Sequence, residues 1–235
     1  MKRIAVEHIK NGFDKSTINC LFNEFESLAI IDNENNNPKS EREVKLKSQG
    51  IMNDEIRLSF KWYKIWEKFT FFEKLGDFEL VMYPVIVRNI RDSNKHNVPW
   101  HQDSAYMAAL PASKKPSQVI TCFVPMEKKP IEHSTIQFAY ADKQTEEQFW
   151  EHQSFVGNYG LGIEDTKLPD IKSRFHFELE LGDSLIFGDR ILHRTFVPNG
   201  KLSNRKSLEF RLIKRNDMKK NYDYYDLKKK QFISA

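Results

Sequence analysis

His101 and Asp103 stand one residue apart in Trp100-His101-Gln102-Asp103, and a third chemistry-bearing side chain, His193, follows the distant segment Gly182-Asp183-Ser184-Leu185-Ile186-Phe187. Alternate side chains of an extended strand share a face, so His101 and Asp103 converge while Gln102 turns away. Brought to the same spot by a second strand, His193 would complete two imidazoles and one carboxylate on one side of a metal. The other side stays open. That donor set suits non-haem Fe(II), whose open positions take a cosubstrate and O2. A closed four-ligand structural site lacks those positions.

Strands must carry these residues. The apolar run Leu80-Val81-Met82-Tyr83-Pro84-Val85-Ile86-Val87 reads as one or two buried strands around a proline-marked irregularity. Further strands are expected at 119–124, 135–140, 176–181, 184–187 and 207–213. In the last, Leu208, Phe210 and Leu212 alternate with Ser207, Glu209 and Arg211. Ahead of the strands, Ile18, Leu21, Phe22, Phe25 and Leu28 recur at helical spacing over 14–30, with Asp14 or Ser16 as N-cap. A second helix is expected over 53–74, where Leu58, Trp62, Ile65, Trp66 and Phe69 form an aromatic stripe read as core. A short helix is expected at 142–152.

The Asn-rich, charged stretch 33–50 has no apolar period and reads as a mobile surface loop. The glycines of Gly157-Asn158-Tyr159-Gly160-Leu161-Gly162 suit either a substrate lid or a plain connector. Together these elements describe an all-β core with added helices: a double-stranded β-helix (jelly roll, cupin-like) with N-terminal helices packed outside. One domain is expected over 1–235, with helical decoration at 1–77, the jelly-roll core at 78–213 and a basic C-terminal tail at 214–235.

A chain of 235 residues with 13% aromatic content and 18 Phe can bury one broad core. Its formal charge is +4. Seven basic residues against three acidic ones from Lys214 to Lys230 account for all of it. Such a run reads as solvated surface with a capacity for homodimer contacts, and nothing in it demands nucleic acid. Cys20 and Cys122 carry no disulfide spacing, and charge interrupts Met1-Lys2-Arg3-Ile4-Ala5-Val6-Glu7-His8 before an apolar signal core forms. No stretch is long and apolar enough for a membrane span. A cytoplasmic protein is therefore expected. His8, His96, His133, His152 and His176 share no ligand spacing and read as surface or internally satisfied side chains.

A 2-oxoglutarate cosubstrate would chelate iron through its 2-oxo acid end and leave its far carboxylate to the protein. Arg205, opening the strand after His193, offers the bidentate fork that a carboxylate needs. Thr195, two residues past His193 on the same face, offers a hydroxyl beside it. Trp100 and Tyr106 adjoin the metal ligands, and Arg88 ends the preceding strand. These three are the candidate contacts to a small-molecule substrate.

Trp-His-x-Asp, then Gly-Asp-x-Leu-Ile-Phe leading to Leu-His-Arg-Thr, then Pro-Asn and an Arg-Lys-Ser strand, resembles the phytanoyl-CoA dioxygenase family of Fe(II)/2-oxoglutarate oxygenases. The resemblance covers roughly 78–213. It implies that His101, Asp103 and His193 are the catalytic iron ligands, that Arg205 binds the 2-oxoglutarate carboxylate and that Thr195 assists it. Arg205 stands one residue further from His193 than the family's usual spacing, and Arg211 is a rival for its role. The Arg205-x5-Arg211 pair also resembles nucleic-acid repair dioxygenases, so an enzyme of that kind stays open, as does a non-catalytic jelly-roll binding protein. The resemblance implies a hydroxylase that acts on an unactivated C–H bond and releases succinate and CO2. Asp103 stands where a related halogenase needs a small residue.

Overall fold

The computed structural model describes residues 6–32, 55–57, 66, 75–83, 85–90, 98–106, 119–126, 135–141, 148–156, 159–197, 205–218 and 222–234. In chain order the strands and the one long helix are β1 (Glu7–Ile9), α1 (Lys15–Asp32), β2 (Glu55–Arg57), β3 (Phe78–Met82), β4 (Ile86–Ile90), β5 (Val119–Pro125), β6 (Thr135–Ala141), β7 (Gln153–Val156), β8 (Tyr159–Gly162), β9 (Ile171–His176), β10 (Ser184–Gly188), β11 (Leu192–Phe196), β12 (Arg205–Lys214), β13 (Asp223–Asp226) and β14 (Gln231–Ser234). The large sheet runs β1-β10-β5-β12-β3-β13-β14, with β2 and β4 joined to the β12 side. A smaller sheet runs β11-β6-β9, and β7 pairs with β8.

The ten-residue strand β12 is the spine of the large sheet. One flank pairs with β5 from Ser207 to Ile213; the other pairs with β4 at one end and β3 at the other. It is largely buried on both faces even though its residues alternate between apolar and polar. Leu208, Phe210 and Leu212 turn outward, where Phe13, Ile18, Leu21 and Trp66 cover them with Ile120, Cys122, Val124 and Ile186. Trp66 lies 4.2 Å from Phe210 between ring centroids, so this aromatic of the expected stripe is core. Burying one such ring contributes about 1.5–3 kcal/mol. Asp14 accepts from the Thr17 amide at 3.0 Å and caps α1, whose Ile18 and Leu21 pack on the outer face of the sheet. The inner face of β12 presents Arg205, Ser207, Glu209 and Arg211 instead. The two sheets meet there through aromatic rings, with Phe138 of β6 5.1 Å from Phe187 of β10. Cys20 and Cys122 are both free.

Several segments depart from the sequence reading, each for a local reason. Residues 223–226 and 231–234 are strands of the large sheet, so the expected tail is structured. Arg215 bonds Glu79 at 2.7 Å and Asp226 at 2.6 Å, drawing part of its basic charge into the fold. Residues 55–57, expected in a helix, form β2 against β4. The strand expected at 176–181 lies earlier, at Ile171–His176, because the Glu180 amide is taken by the Asp183 carboxylate at 3.0 Å. Residues 148–152, expected to be helical, are irregular: the Gln102 side chain holds Gln148 O at 2.8 Å and the Trp150 amide at 2.9 Å. Of the stretch Gly157 to Gly162, which suits a lid or a connector, Tyr159–Gly162 is a hairpin strand paired to β7. The 33–50 loop and the rest of the 53–74 and 142–152 helices lie outside the described residues.

Asp183 explains the Gly-Asp motif. Gly182 has φ of 92°, and a Cβ there would stand 2.7 Å from Phe13 O, so the turn admits glycine. Asp183, 4% exposed, accepts from His8 Nε2 at 2.8 Å, the Asn11 amide at 3.0 Å and the Glu180 amide, and so fastens β1 beside β10. Burial alone would raise its pKa, but these donors outweigh burial and the carboxyl sits below its usual range. Asp183→Ala is expected to lower the unfolding free energy by about 2–3 kcal/mol, read from urea midpoints, with faster amide exchange in β1.

Candidate functional site

His101 and His193 form an antiparallel bridge, each amide bonding the other's carbonyl at 3.0 Å. Backbone pairing thus sets the two imidazoles side by side, ring centroids 4.1 Å apart. Each Nδ1 lies against the carbonyl two residues back, Pro99 O at 2.8 Å and Ile191 O at 2.9 Å. A carbonyl only accepts, so Nδ1 carries the proton and the Nε2 lone pair is presented to the site. Each Nε2 lies 3.6 Å from Asp103 Oδ1. That is too long for a hydrogen bond and suits donors around a cation. The three ligand atoms lie within 4.8 Å of one another, and all three residues are buried.

Asp103 begins a short 3-10 turn, Asp103–Ala105. Its outer oxygen, Oδ2, accepts from Thr121 Oγ1 and from Arg211 Nη2 at 3.3 Å. Thr121 and Arg211 face each other across β5 and β12, so one cross-strand pair holds the carboxylate and leaves Oδ1 toward the histidines. Burial opposes ionisation of Asp103, but Arg211 and both imidazoles outweigh it and hold the carboxyl well below its usual range. Burial, with His101 alongside, lowers the His193 pKa to about 3. At neutral pH the site thus offers an anion and a neutral imidazole beside it, the protonation states a divalent metal needs. Phe187 closes its wall edge-on at 4.7 Å from His193.

The structure brings His101, Asp103 and His193 together and distributes the other candidates around them. Tyr106 stands edge-on to His101 at 5.2 Å and donates its hydroxyl to Leu161 O at 2.7 Å, tying the β7–β8 hairpin to the site. The hairpin base is tight, because a Cβ on Gly162 would collide with Pro99. Strand alternation turns Trp100 to the face opposite the ligands, where it packs with Ala139, Ile163 and Leu192 under the Arg194 guanidinium. Thr195 is buried, with its hydroxyl accepting from the Val98 amide at 3.2 Å. Arg205 is buried, its guanidinium 5.2 Å over the Phe123 ring and its Nη1 3.3 Å from Thr135 O. Arg88 Nη2 lies 3.5 Å from Glu209 Oε2.

Three contributors went unweighed in the sequence. Gln102, fully buried, clamps the 148–150 segment and Arg190 O, and its amide donates to His152 Nε2 at 2.9 Å. The alternation that turned Gln102 away from the metal was its signal. Thr121 had none, since its role depends on strand register. Glu209 shared the parity of Arg205 and Arg211, which marks it as facing the same side.

The sequence profile of the phytanoyl-CoA dioxygenase (PhyH) family matches residues 8–199. The chain belongs to the phytanoyl-CoA dioxygenase family. The match takes in the N-terminal helix, ahead of the 78–213 stretch that carries the resemblance in sequence, and stops short of Arg205. As a phytanoyl-CoA dioxygenase family member it is an oxygenase that uses iron and 2-oxoglutarate, with O2 as oxidant. No curated protein sequence matches it.

Its fold is similar to that of EvdO2 from Micromonospora carbonacea var. aurantiaca, at TM-score 0.61 and 14% identity over 90% of this chain and 86% of that one. It is also similar to the non-heme monooxygenase ThoJ, at TM-score 0.59 and 12% identity over 90% and 74%. The alpha-ketoglutarate-dependent carbocyclase SnoK from nogalamycin biosynthesis aligns at TM-score 0.54 and 11% identity over 95% and 82%. Among the described residues no helix is long and apolar enough to cross a membrane.

His152 donates from Nδ1 to Trp150 O at 2.7 Å, and burial lowers its pKa to about 4. Its folded pKa, like that of His193, lies below the unfolded value. The unfolded chain therefore binds protons that the metal-free fold refuses, and stability falls as the pH drops below about 6.5. Acidifying metal-free protein from about pH 7 to about pH 5 is expected to lower its urea midpoint, and His152→Gln to lessen that loss.

Proposed function

We propose that this protein hydroxylates an unactivated C–H bond of a small metabolite or of a carrier-bound or saccharide-like molecule. His101, Asp103 and His193 hold Fe(II), Arg205 binds the far carboxylate of 2-oxoglutarate and Thr195 assists it. When bound, the iron couples O2 and 2-oxoglutarate to oxidation of the substrate, with succinate and CO2 as co-products. The observation that carries this reading is the convergence of three buried ligand atoms within 4.8 Å, with each histidine's other nitrogen and the carboxylate's other oxygen already bonded.

The chain's own part is orientation and exclusion of water. Peptide carbonyls fix both imidazole tautomers, and the Thr121 and Arg211 donors hold Asp103 to one free oxygen. Phe187, Phe138 and Tyr106 wall the site with rings. Two observations favour Arg205 over Arg211 as the cosubstrate's arginine. Arg211 is engaged by the Asp103 carboxylate, whereas Arg205 reaches Thr135 O, opposite Phe196 and so one pair along from Thr195. In this reading the chain acts as one oxygenase domain over 1–235, supported by β1 and β14 lying in the same sheet. Small-molecule chemistry fits the described role of SnoK in nogalamycin biosynthesis.

Anaerobic titration of Fe(II)-loaded protein with 2-oxoglutarate is expected to raise a visible metal-to-ligand charge-transfer band. Arg205→Ala should weaken the Kd by at least about 30-fold, the effect of removing one partner from a buried charge pair. Fully iron-loaded protein that develops no band overturns this function.

A further inference from the structure

We infer that Glu209 competes with 2-oxoglutarate for Arg205, so that its carboxylate sets the affinity and the charge selectivity of the cosubstrate pocket. This rests on the assignment of Arg205 to the cosubstrate's far carboxylate. The register of β12 places the competitor. Arg205, Ser207, Glu209 and Arg211 alternate onto the inner face, Arg88 of β4 stands opposite Ser207, and Phe123 of β5 stands opposite Glu209. The Glu209 carboxylate therefore lies between two guanidiniums on a floor of Phe123, the ring over which Arg205 stacks.

The distances describe a loose hold. Glu209 Oε1 lies 3.9 Å from Arg205 Nη2 and accepts from Ser207 Oγ at 3.1 Å, while Oε2 lies 3.5 Å from Arg88 Nη2. Both ion pairs are longer than the fork geometry an arginine adopts with a well-seated carboxylate. Glu209 is 8% exposed yet ionised: burial opposes its charge, but Arg88, Arg205 and Arg211 outweigh burial.

Without cosubstrate, Glu209 supplies the counter-charge that lets buried guanidiniums coexist. A second carboxylate reaching Arg205 meets Glu209 as a like charge in a poorly screened setting. Part of its attraction to Arg205 is spent displacing Glu209, which keeps Arg88 as partner. A 2-oxo acid without a far carboxylate never enters this contest.

The test is the same anaerobic titration on Glu209→Gln, with 2-oxoglutarate and with pyruvate, which chelates iron but lacks the far carboxylate. Relief of a like-charge contact is expected to tighten 2-oxoglutarate about tenfold and leave pyruvate unchanged. Arg88→Met/Glu209→Gln removes one charge of each sign and restores the pocket's balance. It too should bind 2-oxoglutarate more tightly than wild type, and it carries the test where the single variant fails to fold. Larger stabilisation of both variants by 2-oxoglutarate in thermal melts gives an independent readout.

Unchanged or weaker 2-oxoglutarate binding in these variants, with Arg205→Ala still losing it, overturns the competition and leaves the assignment of Arg205 standing. Equal tightening of pyruvate also overturns it, since that is a general field effect. Undiminished 2-oxoglutarate affinity in Arg205→Ala overturns the assignment and the competition together.

Discussion

Two peptide hydrogen bonds between His101 and His193 decide where this protein can do chemistry. They join a segment that leads into a turn to β11 of the smaller sheet, and they fix the separation of the imidazoles before any metal arrives. Everything else at the site refines that pairing. Pro99 and Ile191 carbonyls choose the tautomers, and the 3-10 turn swings Asp103 under the two rings. Because the pairing is backbone to backbone, substituting either ring changes the ligand set while keeping the frame that holds it.

The second constraint is the two-faced strand β12. Its outward residues are sealed under α1 and Trp66, which immobilises the strand, and its inward residues form a polar column from Arg205 to Arg211. Charge along that column is balanced by position. Arg211 answers Asp103 at one end, and Arg205 and Arg88 share Glu209 further along. A buried array of this kind is costly to assemble unless each charge has a partner. The apolar packing on its far side supplies the rigidity that keeps the partners in place.

Much of this was legible in the sequence because it depends on alternation. His101 with Asp103, Gln102 opposed to them, and the split of β12 into apolar and charged faces all follow from a period of two residues. The same rule turns Trp100 to the opposite face, where it packs with Ala139, Ile163 and Leu192. What alternation could not supply is register. Thr121 reaches Asp103 only because it stands opposite Arg211, and Glu209 meets Arg88 only because β4 pairs with that end of β12. The strand set five residues too late, and the helix expected where Gln102 binds the chain, failed for a related reason. In each, a side chain had taken backbone groups that a regular element would use: Asp183 from three residues away and Gln102 from far along the chain.

The base of the β7–β8 hairpin has a bearing on how such a scaffold can diversify. Gly162 is pressed against Pro99, the Ile163 amide bonds Trp100 O at 2.7 Å, and Tyr106 holds Leu161 O. Sequence drift at those contacts would reach His101 within one or two peptides, so the hairpin's root is bound to the metal's history. A lineage built on this frame can vary the described hairpin residues outside that root while inheriting its metal site intact.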